Sequence, residues 1–518
     1  MIGKELWELL AGSEELALLD VREQGVHYRG HPFFACSAPL SRLELMIVDL
    51  VPRRGARVVP LDGQGEGLAE KASTRLKAFG YTDVSILEGG CKGWASSGGE
   101  LFSGVNVPSK AFGEFVERQY QTPRIDPRDL LDILSSRRKA IVLDSRPFEE
   151  YQRMSIPGGI DVPGAELAYR VHDLAPDPGT LIVVNCAGRT RSIIGCQSLR
   201  NAGIPNDVVA LKDGTMGWEL AGHACERGAA RIAPPPSPAG AEKARAAAER
   251  VAARFSVKTI SPEEVLRWRN DSARSLYLLD VRTREEFEHA HLAGSRHAPG
   301  GQLVQALDEY VGVRNARVVL IDPQRVRAVM TASWLNQMGW NDVYVLEGGW
   351  QSCGETESGP RAPSVPSFKR WETTQQPMGI VLDFSTSLRF NSRHIPGAWW
   401  AVRSRLEEAL AKIPRADSLT LTSEDGILAH LAAPEVARTW PLAQVRVLEG
   451  GNASWFEGGK PAEPGVERAT TARDDVWYKP YDHALDYEKH ARDYLAWEIA
   501  LVEQIRRDPL IRFRVYDA

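Results

Sequence analysis

Leu181-Ile182-Val183-Val184-Asn185-Cys186-Ala187-Gly188-Arg189-Thr190-Arg191-Ser192 is the stretch on which the reading of this chain turns. An apolar run from Leu181 reads as a buried strand. A short loop containing Gly188 follows, and the residues from Ser192 to Ala202 have helical spacing. Strand, loop and helix in that order belong to an α/β unit, whose ligands bind beyond the carboxyl ends of the strands. Cys186 stands at such an end. The loop amides and the helix N-terminus favour an anion there. Gly188 permits a backbone turn that a β-carbon would hinder. Arg189 and Arg191 add charge and bidentate hydrogen bonds for an oxyanion. A free thiol titrates near ~8.5, and its thiolate is the nucleophile. The residues alone therefore describe an activated cysteine in an anion-binding loop.

The surrounding chain repeats itself. Four strands end in an acid: Leu18-Leu19-Asp20, Val142-Leu143-Asp144, Leu278-Leu279-Asp280 and Val381-Leu382-Asp383. Four later segments read Leu87-Glu88-Gly89-Gly90, Leu211-Lys212-Asp213-Gly214, Leu346-Glu347-Gly348-Gly349 and Leu448-Glu449-Gly450-Gly451. From acid to second glycine the spacing is 70, 70, 69 and 68 residues. Each unit has the size of one domain and is too long for a solenoid repeat. Apolar runs alternating with helical patterns predict a mainly parallel sheet flanked by helices in each unit, an α/β fold class. The expected units are 1–105, 122–228, 255–356 and 372–462. The proline-rich Ala233–Pro238 and the Ala/Arg/Glu-rich, helical-looking stretch to Arg254 separate the second from the third. That linker predicts two pairs, units one with two and three with four. Beyond the repeats, 471–518 is expected to be a helical C-terminal extension. Tyr494, Trp497, Leu501 and Ile505 share one face of it, which should dock on a domain or a second subunit of a homodimer.

Composition narrows the function. The 518 residues carry 63 Lys+Arg and 68 Asp+Glu, for a net charge of −5. Such a balance offers no electrostatic attraction to nucleic acid. No apolar run approaches the ~20 residues of a membrane helix. The N-terminal Met1–Leu10 has acids within its apolar part and reads as an amphipathic helix, so the expected location is the cytoplasm. Six cysteines lack C-x-x-C spacing, which argues against a zinc site or a dithiol centre. His289, His291 and His297 cluster without matching carboxylates or cysteines, and no metal or cofactor is expected.

Taken in order, these motifs resemble the rhodanese, or sulfurtransferase, family, repeated four times in tandem. The resemblance rests on Arg146-Pro147-Phe148-Glu149-Glu150-Tyr151 with Ile156-Pro157-Gly158-Gly159, on Arg284–Phe287 with His291–Gly294, and on His394–Ala398. It rests further on Cys186–Arg191 as active-site loop and on Gly214–Trp218 as the closing Gly-Gly-x-x-x-Trp, with Asp213 preceding it. The resemblance implies double displacement. Cys186 attacks the outer sulfur of a donor such as thiosulfate, sulfite leaves, and a persulfide remains. Cyanide, a thiol or a protein thiol then takes the sulfur. Ala187, Gly188, Arg189, Thr190 and Arg191 form the substrate loop, supported by Asp144 and Arg146. For that last pair the main reading is a structural brace, with direct substrate contact as the alternative.

Two other readings stay open: a persulfide carrier fed by a protein desulfurase, and a non-enzymatic scaffold. Phosphatases of this fold use Cys-x5-Arg, whereas Arg191 makes Cys-x4-Arg. The shorter loop favours a sulfur-sized group over phosphate or arsenate. The loop also differs from the Cys-Gly-Ser-Gly type of mercaptopyruvate enzymes, and its two arginines favour a sulfonate-like donor. Cys186 lies 42 residues after Asp144, and the same offset reaches Asp62, Asp322 and Asp425, with Glu424 beside the last. Three units thus place an acid where the nucleophile stands, and are expected to be inactive.

Overall fold

The computed structural model describes residues 1–516 other than Ala484; Ala484, Asp517 and Ala518 of the expected C-terminal extension lie outside the described residues. Four parallel sheets follow one another along the chain. The second has the spatial order Arg124–Ile125, Val208–Leu211, Leu181–Asn185, Ala140–Asp144, Ile160–Asp161. The third and fourth repeat this order with five strands each, and the first lacks only the outermost strand. Both central strands of each sheet are covered on two faces by helices. That is why Leu181–Asn185 is buried at every position and reads as a continuous apolar run.

The register fixes equivalences between units. Asp144 pairs with Asn185, Asp20 with Leu61, and Asp280 with Ile321. The next residues are Cys186, Asp62 and Asp322, in agreement with the offset of 42. The fourth unit departs. Asp383 pairs with Thr422, so the position matching Cys186 is Ser423, and not Glu424 or Asp425. The connection between these strands is two residues shorter than in the second unit. A count from the acid therefore overshoots. Backbone bonds agree: Asn452 N–H donates to Ser423 O as Thr215 N–H donates to Cys186 O.

The expected pairing of units is also corrected. A single apolar core runs through the first three units, from Ala17 through Val184 to Val345, while the fourth has its own around Leu382 and Leu421. The second unit packs on the third. Trp334 Nε1 donates to Ser198 Oγ at 2.9 Å, and Arg327 reaches Glu166 at 2.9 Å. The first unit meets the fourth through Arg403, which pairs with Glu44 at 2.9 Å and Glu435 at 2.7 Å. It meets the third where Tyr277 Oη donates to Leu50 O. The linker explains the discrepancy. Its helix, Pro238–Arg254, is capped by Ser237 and buries Ala244, Ala247, Ala248 and Val251. It packs against helices of both the second and third units, so it joins them instead of spacing them apart.

Two more helices position the site. Val107–Tyr120 bridges the first two units and buries Val107, Ala111, Phe112 and Val116. Tyr487–Ile505 in the C-terminal extension lies against it, burying Ala491, Leu495, Leu501 and Ile505. The tail therefore docks within its own chain. Tyr494, Trp497, Leu501 and Ile505 do share the docking face: Trp497 Nε1 donates to Ser103 O at 2.9 Å.

Candidate active site

Cys186 follows the last residue of the strand Leu181–Asn185 and is 2% exposed. Its Sγ lies 3.5 Å from Ser192 Oγ, which itself donates to Arg189 O at 2.8 Å. The helix Thr190–Asn201 begins four residues after the thiol. The N–H groups of Ala187 through Ser192 donate to no described acceptor. Six amides without an acceptor, in the loop and first helical turn that follow the buried thiol, favour negative charge there. Glycine is required opposite the loop. Gly214 has φ +58°, and a β-carbon there would stand 2.3 Å from Cys186 O. Gly188 serves differently from the expected turn. Its φ is unexceptional, but a β-carbon would come within 3.3 Å of both Glu498 and Tyr494. Close approach of the C-terminal helix, not a left-handed backbone, is what calls for glycine there.

Asp144 and Arg146 form a buried bidentate pair at 2.8 and 2.7 Å. Asp144 also accepts from Asn185 Nδ2 at 2.8 Å, which anchors the residue before the thiol. The same pair recurs as Asp20–Arg22 and Asp280–Arg282 in units without the cysteine. The pair is therefore not peculiar to the unit that carries Cys186. In the fourth unit Ser385 replaces the arginine, and burial pushes Asp383 up to about 6.

The two loop arginines part company. Arg189 is 4% exposed and points away from the sulfur cradle into three carboxylates. It reaches Glu114 at 2.7 Å through both Nε and Nη2, Glu117 at 2.5 Å and Asp213 at 3.0 Å. Its charge is spent on holding the loop to the helix Val107–Tyr120. Arg191 reaches Glu150 at 2.7 Å and Gln302 Oε1 at 3.3 Å. Burial works against the Arg191 cation, yet Glu150 and then the neighbouring charge of Cys186 hold it firmly protonated. Burial likewise pushes Glu150 up, but Arg191 and Lys479 outweigh it and keep its carboxyl well below the usual range. Of the two loop arginines, Arg191 is the one whose charge is coupled to Cys186.

Thr190 and Ala187 face the C-terminal helix. Thr190 Oγ1 donates to Glu498 Oε1 at 3.2 Å, and Ala187 packs with Met216, Ala491 and Leu495. Glu498 is fully buried and also takes Lys110 at 3.1 Å and Tyr494 Oη at 2.8 Å. Burial, then Glu498, push the Tyr494 hydroxyl far up, so it stays a donor.

Ser192, Glu114, Asp213, Glu150, Gln302, Tyr494 and Glu498 were not among the expected site residues. Asp213 carried a signal. It takes the place of the first glycine of the repeated Gly-Gly and, at φ 60°, keeps the left-handed backbone while adding a carboxylate for Arg189. The apolar spacing of Val107, Ala111, Phe112 and Val116 marked the helix that bears Glu114 and Glu117. Nothing local in the sequence joins Gln302 or Glu498 to Cys186.

The other thiols stand outside this loop. Burial pushes Cys91, Cys196 and Cys225 up to about 12. Cys36 and Cys353 are also raised by burial. Among the expected histidines, His291 Nδ1 is engaged by Phe287 O and His297 Nε2 by Arg282 O. Among the described residues, no helix is long and apolar enough to cross a membrane.

The model of the rhodanese-like domain matches residues 3–97, 126–221 and 261–355. The fourth sheet shares the strand order of these matched segments. A crystal structure of a thiosulfate sulfurtransferase from Pseudomonas aeruginosa is 46% identical, with a TM-score of 0.94, and 99% of each chain is covered. An HTH-type transcriptional regulator of Mycobacterium tuberculosis is 40% identical over 90 residues, 17% of this chain and 38% of that protein. The protein YqhL of Bacillus subtilis is 33% identical over 99 residues, 19% of this chain and 73% of that protein. This chain thus spans well under half of the regulator's own length and about three quarters of YqhL.

Proposed function

The chain belongs to the rhodanese-like domain family, and from that premise we propose that it is a thiosulfate sulfurtransferase with one reaction centre, Cys186. The observation that carries the reading is the run of six amides without a described acceptor directly after the buried Cys186 thiol. The Cys186 thiolate attacks the outer sulfur of thiosulfate. The S–S bond of the donor breaks and sulfite leaves with the electron pair. The terminal sulfur of the resulting persulfide carries the negative charge that the loop amides accept, in a site that excludes water. Arg191, whose charge is coupled to Cys186, favours an anionic donor. Cyanide or a thiol then attacks the terminal sulfur, the persulfide bond breaks, and the Cys186 thiolate returns.

At 2% exposure, and with the C-terminal helix packed on Ala187, Cys186 favours small acceptors over a protein thiol. Asp62 and Asp322 hold no sulfur, and Ser423 lacks a thiol, so we assign those units structural roles. The test is the intact mass after incubation with thiosulfate. One added sulfur is expected, lost on addition of cyanide and absent in Cys186→Ser. A gain that appears only with a desulfurase supports a carrier instead. An unmodified Cys186 in both assays removes the enzymatic reading.

A further inference from the structure

Away from Cys186, a cavity of about 470 Å³ opens where the first unit, the third unit and the end of the chain meet. Its volume falls within the ~300–1,000 Å³ usual for small organic ligands. The walls are of two kinds. Phe34, Trp340 and Phe513 supply aromatic surface, and Arg314, Arg512 and Arg514 supply charge. The aromatic side is rigid, because Phe513 packs edge-on against Phe112 at 5.1 Å and Phe34 against Phe33 at 5.0 Å.

Arg314 is half-buried and differs from the fully buried arginines. Those are clamped by acids: Arg22 by Asp20, Arg146 by Asp144, Arg189 by Glu114, Arg327 by Asp322 and Arg403 by Glu44. Arg314 has no carboxylate within ion-pair distance among the described residues, and its guanidinium lies 3.6 Å from the centre of the Phe34 ring. Its backbone is held by Leu16 O at 2.9 Å, so the side chain is presented from a fixed base. Burial lowers the Arg314 cation to about 10, with Cys36 and the more distant Asp508 opposing. A guanidinium left without an anion in such a place is costly, and it is relieved by one. The rim repeats the pattern. Arg514 is bonded to the neutral Asn341 and Arg512 to Pro509 O. The acid that lines the cavity, Asp308, takes Asn106 Nδ2 at 3.2 Å and is raised by burial.

We propose that this cavity binds a small aromatic carboxylate, its ring against the aromatic wall and its carboxylate on Arg314. The fork of a guanidinium matches a carboxylate in two parallel hydrogen bonds, and the ring stacked beneath Arg314 keeps that fork in plane. The site is separate from the sulfur chemistry and does not depend on it.

The probe is 2-naphthoate, titrated into the full chain by calorimetry. Saturable one-to-one binding is expected. Arg314→Gln should weaken it at least ~tenfold, Arg314→Lys should restore part of it, and neutral 2-naphthylmethanol should bind at least ~tenfold more weakly. Formation of the Cys186 persulfide should be unchanged in Arg314→Gln, which also reports that the variant is folded. Should that variant fail to fold, Trp340→Leu and Arg512→Gln test the two walls separately, each weakening naphthoate. The proposal is overturned by an absence of saturable binding, by equal binding of naphthylmethanol, or by binding that folded variants of both walls leave unaltered.

Discussion

The loop at Cys186 and the loop at Asp322 occupy the same position in neighbouring sheets, yet they solve one electrostatic problem in opposite ways. Each ends a central strand and precedes a 12-residue helix whose first amides need an acceptor. At Asp322 the carboxylate supplies it, accepting from Arg327 N at 2.9 Å and Gln324 N at 3.2 Å, and pairing with the Arg327 side chain. At Asp62 the same is done for Gly65 and Ala69. At Cys186 the amides are left open. A permanent anion makes a stable, inert loop. Amides left without a protein acceptor make one that can take up a transient anion, as the proposed persulfide requires.

The sharpest attempt to break this comparison is Cys186→Ser. Sulfur transfer from thiosulfate to cyanide should fall roughly 1,000-fold or more, because no other positioned nucleophile replaces the thiol. Cys186→Asp should be equally inactive yet unfold no more readily than Cys186→Ala, since the carboxylate meets the open amides as it does at Asp322. A lower melting temperature for the aspartate variant would mean that the two loops are not equivalent cradles. The reverse change, Asp322→Ala, should cost about 2–3 kcal/mol, read from its unfolding transition, for Arg327 keeps Glu166 and Glu286 but loses a fully buried partner.

A third test concerns the strand beside Asp144. Asp161 faces it, where the other units carry Ser37, His297 and Trp400. Burial, then Asp144, push Asp161 up to about 8, and its Oδ1 has no partner. Its folded value stands above the ~3.9 of an unfolded chain. The stability it contributes is therefore complete below that value and is lost as pH rises through about 8. Wild type should lose melting temperature between pH 6 and 9 relative to Asp161→Asn, and parallel curves would refute the assignment. The smallest effect should come from Cys91→Ala and Cys196→Ala, which should change turnover less than ~twofold because burial outweighs the nearby arginines and keeps both thiols protonated and inert.

Much of this comparison was legible in one dimension. The constant spacing from acid to glycine located the repeats, and the offset of 42 found Asp62 and Asp322 because the connecting segments have equal length. It failed in the fourth unit, where a connection two residues shorter makes Ser423 the true counterpart. Arg189 and Arg191 looked alike in sequence. One faces three acids and the other pairs with Glu150 and Gln302, a distinction made by Glu114 and Glu117 on a helix some 70 residues earlier. The linker read as a spacer because proline and alanine reveal stiffness and helicity, but not what the alanine face will bury.

What the sequence by itself determined is everything that depends on local order: four α/β units, one cysteine at the end of a central strand, and acids in its place in two others. Those follow from hydrophobic periodicity, turn chemistry and spacing, which act between near neighbours. Only the tertiary structure decided that the second unit packs on the third, that the C-terminal helix covers the Cys186 loop with Tyr494 and Glu498, and that Arg314 lines a cavity with no carboxylate of the described residues in ion-pair reach. Each of these depends on which distant surfaces exclude water together, and side-chain charges find or miss their partners only after that packing is set.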